Sequence, residues 1–236
     1  MNVSKFMTPR LLAVASFAKR ESKVCDVGTD HAYIPIWLIK NGVSVSALAM
    51  DINEGPLERA KENIEKFDMS EKVKTRLSDG LCKLEKNEAD TVIIAGMGGI
   101  LINRILENAK ELLPGIKHFV LQPMTAIEET RKFLAQNSFL IEDEKLVREE
   151  DKIYTVLSVT HGKMDVKDDI YYYVGEKLIK NRDVLLKDYL DGKIYELNKA
   201  INSMVNTKNK EALKKRVFFT EQKAKMEKIR EECEKW

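Results

Sequence analysis

Residues 24–35 read VCDVGTDHAYIP, and this stretch decides the fold class. In it, an apolar strand enters a turn that holds a single glycine between two carboxylates. Three later predicted strands end in similar residues, at Asp51, at 78–80 (SDG) and at 95–99 (AGMGG). In an open α/β sheet the carboxyl ends of the strands form the edge where ligands bind. The sequence therefore predicts an enzyme that holds a nucleoside-containing cofactor at this edge.

The composition is that of a globular protein with balanced charge. Of 236 residues, 44% are hydrophobic and 33% charged, and the net charge is +2. This charge neither demonstrates nor excludes a nucleic-acid partner. Cys25, Cys82 and Cys233 lie far apart, which argues against a disulfide framework and a zinc site, so no metal is expected. No apolar run approaches the roughly 18 residues of a membrane span, so a cytoplasmic location is expected.

Strand and helix patterns alternate from residue 8 to about residue 162. Five βα units are followed by two strands joined by the charged turn 148–152. Crossover helices impose parallel pairing, whereas a hairpin reverses the final strand. Residues 1–162 are thus predicted to form a Rossmann-like α/β domain with seven strands, the last of them antiparallel. A short helix is also expected near 80–86.

Residues 163–236 differ in composition and pattern from the rest of the chain. They contain few glycines and no proline, and their apolar residues recur with a helical period. One apolar seam steps by three or four residues through Leu186, Leu190, Ile194, Leu197, Ile201 and Met204. Residues 206–209 break the period, and a second helix that carries Leu213, Val217, Ala224 and Met226 is predicted to follow. A coiled-coil-like α-helical hairpin is expected. Its 18 Lys and Arg against 14 Asp and Glu give it a charge of +4, compared with −2 for the rest.

Two cofactors compete for the predicted ligand edge, a dinucleotide and S-adenosylmethionine. A carboxylate in the position of Asp51 can accept hydrogen bonds from the ribose of either. A dinucleotide site needs the glycines of G-x-G-x-x-G, and here Gly28 stands alone, with Asp30 near the expected phosphates. S-adenosylmethionine has no phosphate and carries two cationic groups, so Asp26 and Asp30 favour it. Asp79 can then accept from the adenine amino group.

The segments DVGTDHAYIP (26–35), GMGG (96–99) and LQP (121–123) together resemble the bacterial tRNA adenine-22 N1-methyltransferases, the TrmK family. The resemblance covers nearly the whole chain. It implies a class I methyltransferase fold, S-adenosylmethionine as methyl donor and tRNA as acceptor. One position departs from the family pattern, because Met124 stands where an asparagine is expected.

The candidate site residues fall into three groups. The cofactor-binding candidates are Asp26, Gly28, Asp51, Ile52, Asp79, Gly80, Gly96 and Met97. The catalytic candidates, nearest to the expected methyl group, are Asp30, His31 and Tyr33. The substrate-binding candidates are Gly98, Gln122 and Pro123 in the sheet domain and Lys214, Lys215 and Arg216 in the hairpin. Asp26 or Asp30 could instead only cap the helix that follows.

The reaction class follows from what stands after the fourth strand. Enzymes that methylate exocyclic amines often carry an [DNS]-P-P-[YFW] segment there, and this chain has AGMG at 95–98. A ring nitrogen such as N1 of adenine is the expected acceptor, and it must be unpaired or extruded to react. Two alternatives remain at this stage, an NAD-dependent oxidoreductase and an RNA-binding protein that has lost activity. No oligomeric partner is indicated.

Overall fold

The protein is described from a computed structural model that covers residues 2–236. The chain divides into two compact units, Met1–Asp165 and Val166–Trp236.

The first unit is built on a seven-stranded sheet with the order β3-β2-β1-β4-β5-β7-β6. Its strands are β1 Ser22–Val27, β2 Ser44–Asp51, β3 Val73–Leu77, β4 Thr91–Gly98, β5 His118–Thr125, β6 Phe139–Glu149 and β7 Lys152–His161. The first five strands are parallel, and β7 runs antiparallel to both β5 and β6. The predicted topology is therefore confirmed. The chain passes from β1 outward to β3 and then back to β4, so the switch point lies between β1 and β4.

Helices cover both faces of the sheet. They are α1 Pro9–Ala15, α2 Tyr33–Lys40, α3 Glu54–Lys66, α4 Gly99–Asn108 and α5 Ile127–Gln136, with 3-10 turns at Val3–Phe6 and Leu113–Gly115. Strand β1 is buried on both sides. Cys25 belongs to one apolar core and Val24 to the other, as expected for a central strand between two helical layers. None of the helices within residues 2–236 is long and apolar enough to cross a membrane.

The helix expected near 80–86 is wrong, because this segment consists of turns. Gly80 takes the left-handed conformation (φ +54°), which ends any helical run at its start. The hydroxyl of Ser78 donates to the carbonyl of Gly80 (3.0 Å) and accepts from the N–H of Lys83 (3.2 Å). These side-chain hydrogen bonds satisfy the backbone groups that a helix would have paired.

The second unit contains the expected helical hairpin, formed by α8 Leu186–Ser203 and α9 Lys210–Cys233. Asn209 caps α9 by accepting from the N–H of Glu211 (2.9 Å), so the break in the period is the turn of the hairpin. Two five-residue helices, α6 Ile170–Val174 and α7 Glu176–Lys180, precede it and were not predicted.

The predicted apolar seam is buried only at one end of the hairpin. Leu186 and Leu190 are fully buried, and the later seam residues of α8 are half-buried. On α9 Met226 is buried, whereas Leu213, Val217 and Ala224 are exposed. The reason is that α6 and α7 bury their own apolar residues beside the base of the hairpin, whereas the end near the turn presents its apolar side chains to solvent.

Candidate active site

A cavity of about 370 Å³ opens at the carboxyl ends of β1 and β4, beside the switch point of the sheet. Its walls come from three stretches of chain. They are Phe6, Thr8, Arg10 and Leu11; Asp26 and the consecutive residues Gly28, Thr29, Asp30, His31, Ala32, Tyr33 and Ile34; and Ala95 with Gly96. The structure thus brings six predicted site residues together in one cavity, namely Asp26, Gly28, Asp30, His31, Tyr33 and Gly96.

The turn after β1 is held open as a cradle. Gly28 has φ +79°, and the N–H groups of Gly28 and Thr29 both donate to the carbonyl of Met50 (2.8 and 3.0 Å). A Cβ atom at Gly28 would lie 2.1 Å from Cε of Met97, so the end of that side chain would have to move, and the positive φ itself favours glycine. The hydroxyl of Thr29 is buried and has no hydrogen-bond partner within residues 2–236. A small polar ligand would satisfy it.

Asp26 is the buried carboxylate of the cavity, with 6% of its surface exposed. Burial raises the pKa of this carboxyl to about 6 and the charge of Asp51 raises it further, while the neighbouring Thr29 hydroxyl, which does not reach hydrogen-bond geometry with it, lowers it. No hydrogen bond from an N-terminal N–H of α2 ends on Asp26 or Asp30, since the N-cap position is Ala32. Asp26 is therefore not a helix cap but a buried acid that a cation would stabilise in its ionised form.

Asp51 ends β2, and Asp79 precedes the turn after β3. Both lie at the same edge of the sheet as the cavity but outside its walls. Oδ1 of Asp51 accepts from the backbone N–H (2.7 Å) and the side-chain amide (3.2 Å) of Asn53. In the described chain, no hydrogen bond uses Oδ2 of Asp51 or the exposed carboxylate of Asp79. Both acids can still accept hydrogen bonds, as the ribose and adenine of a nucleoside require.

Other predicted residues also lie outside the cavity walls. Ile52 is 58% exposed at the end of β2, Gly80 lies in the turn after β3, and Met97 covers Gly28 from β4. Gly98 ends β4, and Pro123 is buried in β5.

Asp30 is exposed and lies in a small charged cluster. It forms an ion pair with the guanidinium of Arg59 on α3, and its Oδ2 lies 3.3 Å from Nε2 of His31. The ring of His31 stacks on Tyr33, and Tyr33 stacks on Phe6, each at a centroid distance of 5.1 Å. Arg59 and Phe6 were not predicted. The result is a carboxylate placed beside a stack of three rings, which offers a flat surface to a base.

Arg10 is another side chain of the cavity that was not predicted from the sequence. Its Nη1 donates to Oε1 of Gln122 (2.9 Å), and its Nε donates to Oε1 of Glu149 (3.4 Å). The backbone N–H of Gly96 also donates to Oε1 of Gln122 (3.1 Å). Gln122 itself is completely buried.

In the second unit the three predicted basic residues lie near the start of α9. Lys214 and Lys215 are exposed, and Nζ of Lys215 lies 5.4 Å from the centroid of the Phe219 ring. Arg216 is half-buried and donates from Nη1 to the carbonyl of Val205 (3.3 Å). Together with the exposed Phe218, these side chains combine positive charge with aromatic surface.

The geometry fits S-adenosylmethionine on two independent grounds. The buried acid Asp26 and the orphaned hydroxyl of Thr29 line one cradle, and two acceptor-bearing acids follow on the neighbouring strands. A G-x-G-x-x-G turn for a pyrophosphate is absent from the sequence of this region. Within residues 2–236, no group of three or more His, Cys, Asp or Glu side chains could hold a metal ion.

Comparisons with known proteins identify the family. Residues 24–229 match the model of the TrmK family, described as tRNA (adenine(22)-N(1))-methyltransferase. The enzyme of that name from Bacillus subtilis is 36% identical over 163 residues, which are 69% of this chain and 68% of the relative.

Several solved structures resemble nearly the whole chain, and two of them contain the methyl donor or its product. Sp1610 of Streptococcus pneumoniae, in complex with S-adenosyl-L-methionine, is 30% identical with a TM-score of 0.85, over 95% of this chain and 99% of that one. TrmK of M. capricolum, in complex with S-adenosyl-homocysteine, is 30% identical with a TM-score of 0.77, over 95% and 96% of the two chains. The chain belongs to the TrmK family of tRNA (adenine(22)-N(1))-methyltransferases.

Proposed function

We propose that the protein transfers a methyl group from S-adenosylmethionine to N1 of adenine 22 in tRNA. The observation that carries the proposal is the cavity at the switch point, where a buried acid and an orphaned hydroxyl lie beside a stack of aromatic rings. Family membership favours this reaction over hydride transfer with NAD. A cytoplasmic location stays a prediction.

The cofactor side of the site would be held by acids at three strand ends. We assign Asp26 and Thr29 to the methionine portion, Asp51 to the ribose hydroxyls and Asp79 to the adenine amino group. Gly28 would let the ligand approach the backbone, and we assign Ile52 to the face of the adenine ring. When bound, S-adenosylmethionine supplies a methyl group on a positively charged sulfur.

The acceptor side would be formed by the ring stack and by Asp30. The lone pair of N1 forms the new bond to the methyl carbon, the carbon–sulfur bond breaks, and sulfur keeps its electron pair. Positive charge therefore passes from sulfur to the adenine ring. The carboxylate of Asp30 can stabilise that charge or accept a proton from the acidified exocyclic amine. Tyr33 and His31 orient the base, and most of the rate enhancement comes from positioning.

The second unit is proposed to dock tRNA. It carries +4 of net charge, and its exposed Lys214 and Lys215 lie on the same helix as two phenylalanines. Cationic side chains that contact phosphates release counterions, so their contribution weakens as salt concentration rises. The residues of this surface would provide affinity for the folded RNA, and no step of the chemistry is assigned to them.

The experiment that tests the function is mass analysis of nucleosides from tRNA incubated with enzyme and methyl-labelled S-adenosylmethionine. We expect labelled 1-methyladenosine, and none from a matched tRNA in which adenine 22 is replaced by guanine. N6-methyladenosine, or a methylated guanosine, would show that the acceptor is misassigned. Calorimetry with the cofactor in the absence of tRNA separates an inactive binding protein from a protein that does not bind the donor.

A further inference from the structure

Arg10 reaches the cavity from the chain segment that precedes the sheet. It follows the N-cap Thr8 and the first-turn Pro9 of α1, and only 21% of its side chain is exposed. Glu149, at the end of β6, holds it twice, by accepting from its backbone N–H (2.9 Å) and from Nε (3.4 Å). Because Glu149 fixes both the backbone and the guanidinium of Arg10, the guanidinium has one orientation and its Nη1 donates in one direction.

The target of Arg10 is a side chain that no substrate can touch. Gln122 is completely buried, and its Oε1 accepts from Nη1 of Arg10 and from the N–H of Gly96. Its Nε2 donates to the carbonyl of Pro123 (3.3 Å) and lies 3.4 Å from Sδ of Met124. Both polar atoms are thus engaged within the protein. This arrangement favours a positioning role for Gln122 over the predicted contact with the substrate.

Gly96 is the residue that Gln122 fixes. It bulges out of the pairing of β4 with β5, where the register shifts between Ala95 and Met97, and its φ is +77°. A bulged residue loses its ladder partner, and the amide oxygen of Gln122 supplies a substitute acceptor for its N–H. This hydrogen bond fixes the orientation of the Ala95–Gly96 peptide group at the wall of the cavity.

The orientation of that peptide determines where its carbonyl lies. The peptide bonds within residues 2–236 are trans, so the carbonyl of Ala95 is opposite to the N–H of Gly96. Since that N–H faces β5, the carbonyl faces β1. The first two N–H groups after β1, those of Gly28 and Thr29, both donate to Met50 and not to Ala95. The Ala95 carbonyl is left as an acceptor beside the cradle.

We propose that Arg10 and Gln122 are positioning residues that aim the carbonyl of Ala95 at the exocyclic amine of the target adenine. This inference rests on the proposed function and adds a determinant of base choice to it. Adenine offers an amine at this carbon, whereas guanine offers a carbonyl oxygen, which the Ala95 carbonyl would repel. The hydrogen bond from the adenine amine to the Ala95 carbonyl also orients the base so that the lone pair of N1 points at the methyl group.

The test uses the full-length protein as wild type, Arg10→Met, Gln122→Met and the double variant. The substrates are tRNA with adenine at position 22 and tRNA with unsubstituted purine there, which lacks the amine. Wild type should prefer adenine by about tenfold or more, the usual effect of one buried hydrogen bond. Each single variant should lose most of that preference, while the affinity for S-adenosylmethionine stays within about twofold. The double variant should be no worse than the weaker single one, since both act through one contact.

Two controls keep the outcomes distinct. Lys19→Met removes an exposed ion pair with Glu142 in the same unit and should change neither preference nor rate. Arg10→Lys keeps the positive charge, provides a second variant should Arg10→Met unfold, and should still lose preference because Lys cannot reach Gln122 and Glu149 together.

Unchanged preference in the folded variants, losses that multiply in the double variant, or a parallel fall in cofactor affinity would each overturn the inference. If wild type formed no 1-methyladenosine, the proposed function itself would fail, and the inference with it.

Discussion

The buried carboxyl of Asp26 predicts that cofactor affinity depends on pH in a defined window. Its pKa is raised to about 6, chiefly by burial, so it is mostly protonated at pH 5 and mostly ionised at pH 7. The ammonium and sulfonium groups of S-adenosylmethionine favour the ionised form. Affinity should therefore fall by about tenfold between pH 7 and pH 5, since each pH unit below the pKa reduces the ionised fraction about tenfold.

The same group should have the opposite effect on the stability of the protein without cofactor. An ordinary aspartate has a pKa of 3.8, so between pH 3.8 and 6 the folded state keeps a proton that the unfolded state releases. The stability contributed by this proton is present below pH 3.8 and is lost as pH rises to 6. The loss levels off at about 3 kcal/mol. Asp26→Asn should accordingly stabilise the cofactor-free protein at pH 7 by up to that amount.

The assay is calorimetric titration with S-adenosylmethionine at pH 5, 6 and 7, together with denaturant unfolding at the same values. Asp26→Asn should bind more weakly at pH 7, show a flat pH profile and unfold at higher denaturant concentration. His31 lines the same cavity, so His31→Asn serves as the matched control and should keep the slope of wild type. Equal slopes in wild type and Asp26→Asn would refute the assignment of Asp26 to the cofactor cation.

Three further predictions concern other parts of the molecule. Asp51→Ala should weaken cofactor binding by about 1.5–3 kcal/mol, because charge-assisted ribose contacts are lost, and calorimetry on the folded variant checks this. Replacing Lys214, Lys215 and Arg216 by Ala should lower tRNA affinity and flatten its salt dependence by roughly one unit of slope per lost phosphate contact, in filter binding at several salt concentrations. As the matched control, replacing Lys86, Lys110 and Lys117 by Ala changes the net charge by the same amount and should leave the salt dependence unchanged. The same salt dependence in both triple variants would exclude tRNA docking by Lys214, Lys215 and Arg216. Burial lowers the pKa of His118 to about 4, so stability should fall by about 3 kcal/mol as pH drops from 6.5 to 4, and His118→Gln should show a smaller fall in denaturant unfolding.

The seven strands and the reversal of the last one could be predicted because their signals are local. Each strand of the first unit is a short apolar run, and the turn after β1 carries its own glycine and carboxylates. The helices α6 and α7 escaped prediction because five residues span little more than one turn, too short for a period to show. The expected helix near 80–86 failed for a related reason, since a single left-handed Gly80 outweighs the propensities of its neighbours.

The cofactor side of the candidate site was predictable for the same reason, and so were Asp30, His31 and Tyr33 after β1, whereas Arg10 and Phe6 were not. Asp26, Asp51 and Asp79 each end or follow a strand, so the topology alone brings them to one edge. Arg10 reaches the cavity only because Glu149, 139 residues later in the chain, anchors it. No spacing rule connects two residues so far apart. Phe6 is similar, because its place in the ring stack depends on how the 3-10 turn packs on α2.

Met124 shows how a departure from the family pattern can leave the geometry intact. The resemblance predicts asparagine here, and a direct contact of that asparagine with the base would have been lost. In the structure Sδ of Met124 lies 3.4 Å from Nε2 of Gln122 and can act as its weak acceptor. An asparagine oxygen could accept from the same N–H. Because Gln122 keeps Oε1 on Arg10 and Gly96 in either case, the carbonyl of Ala95 stays aimed at the cavity without the asparagine.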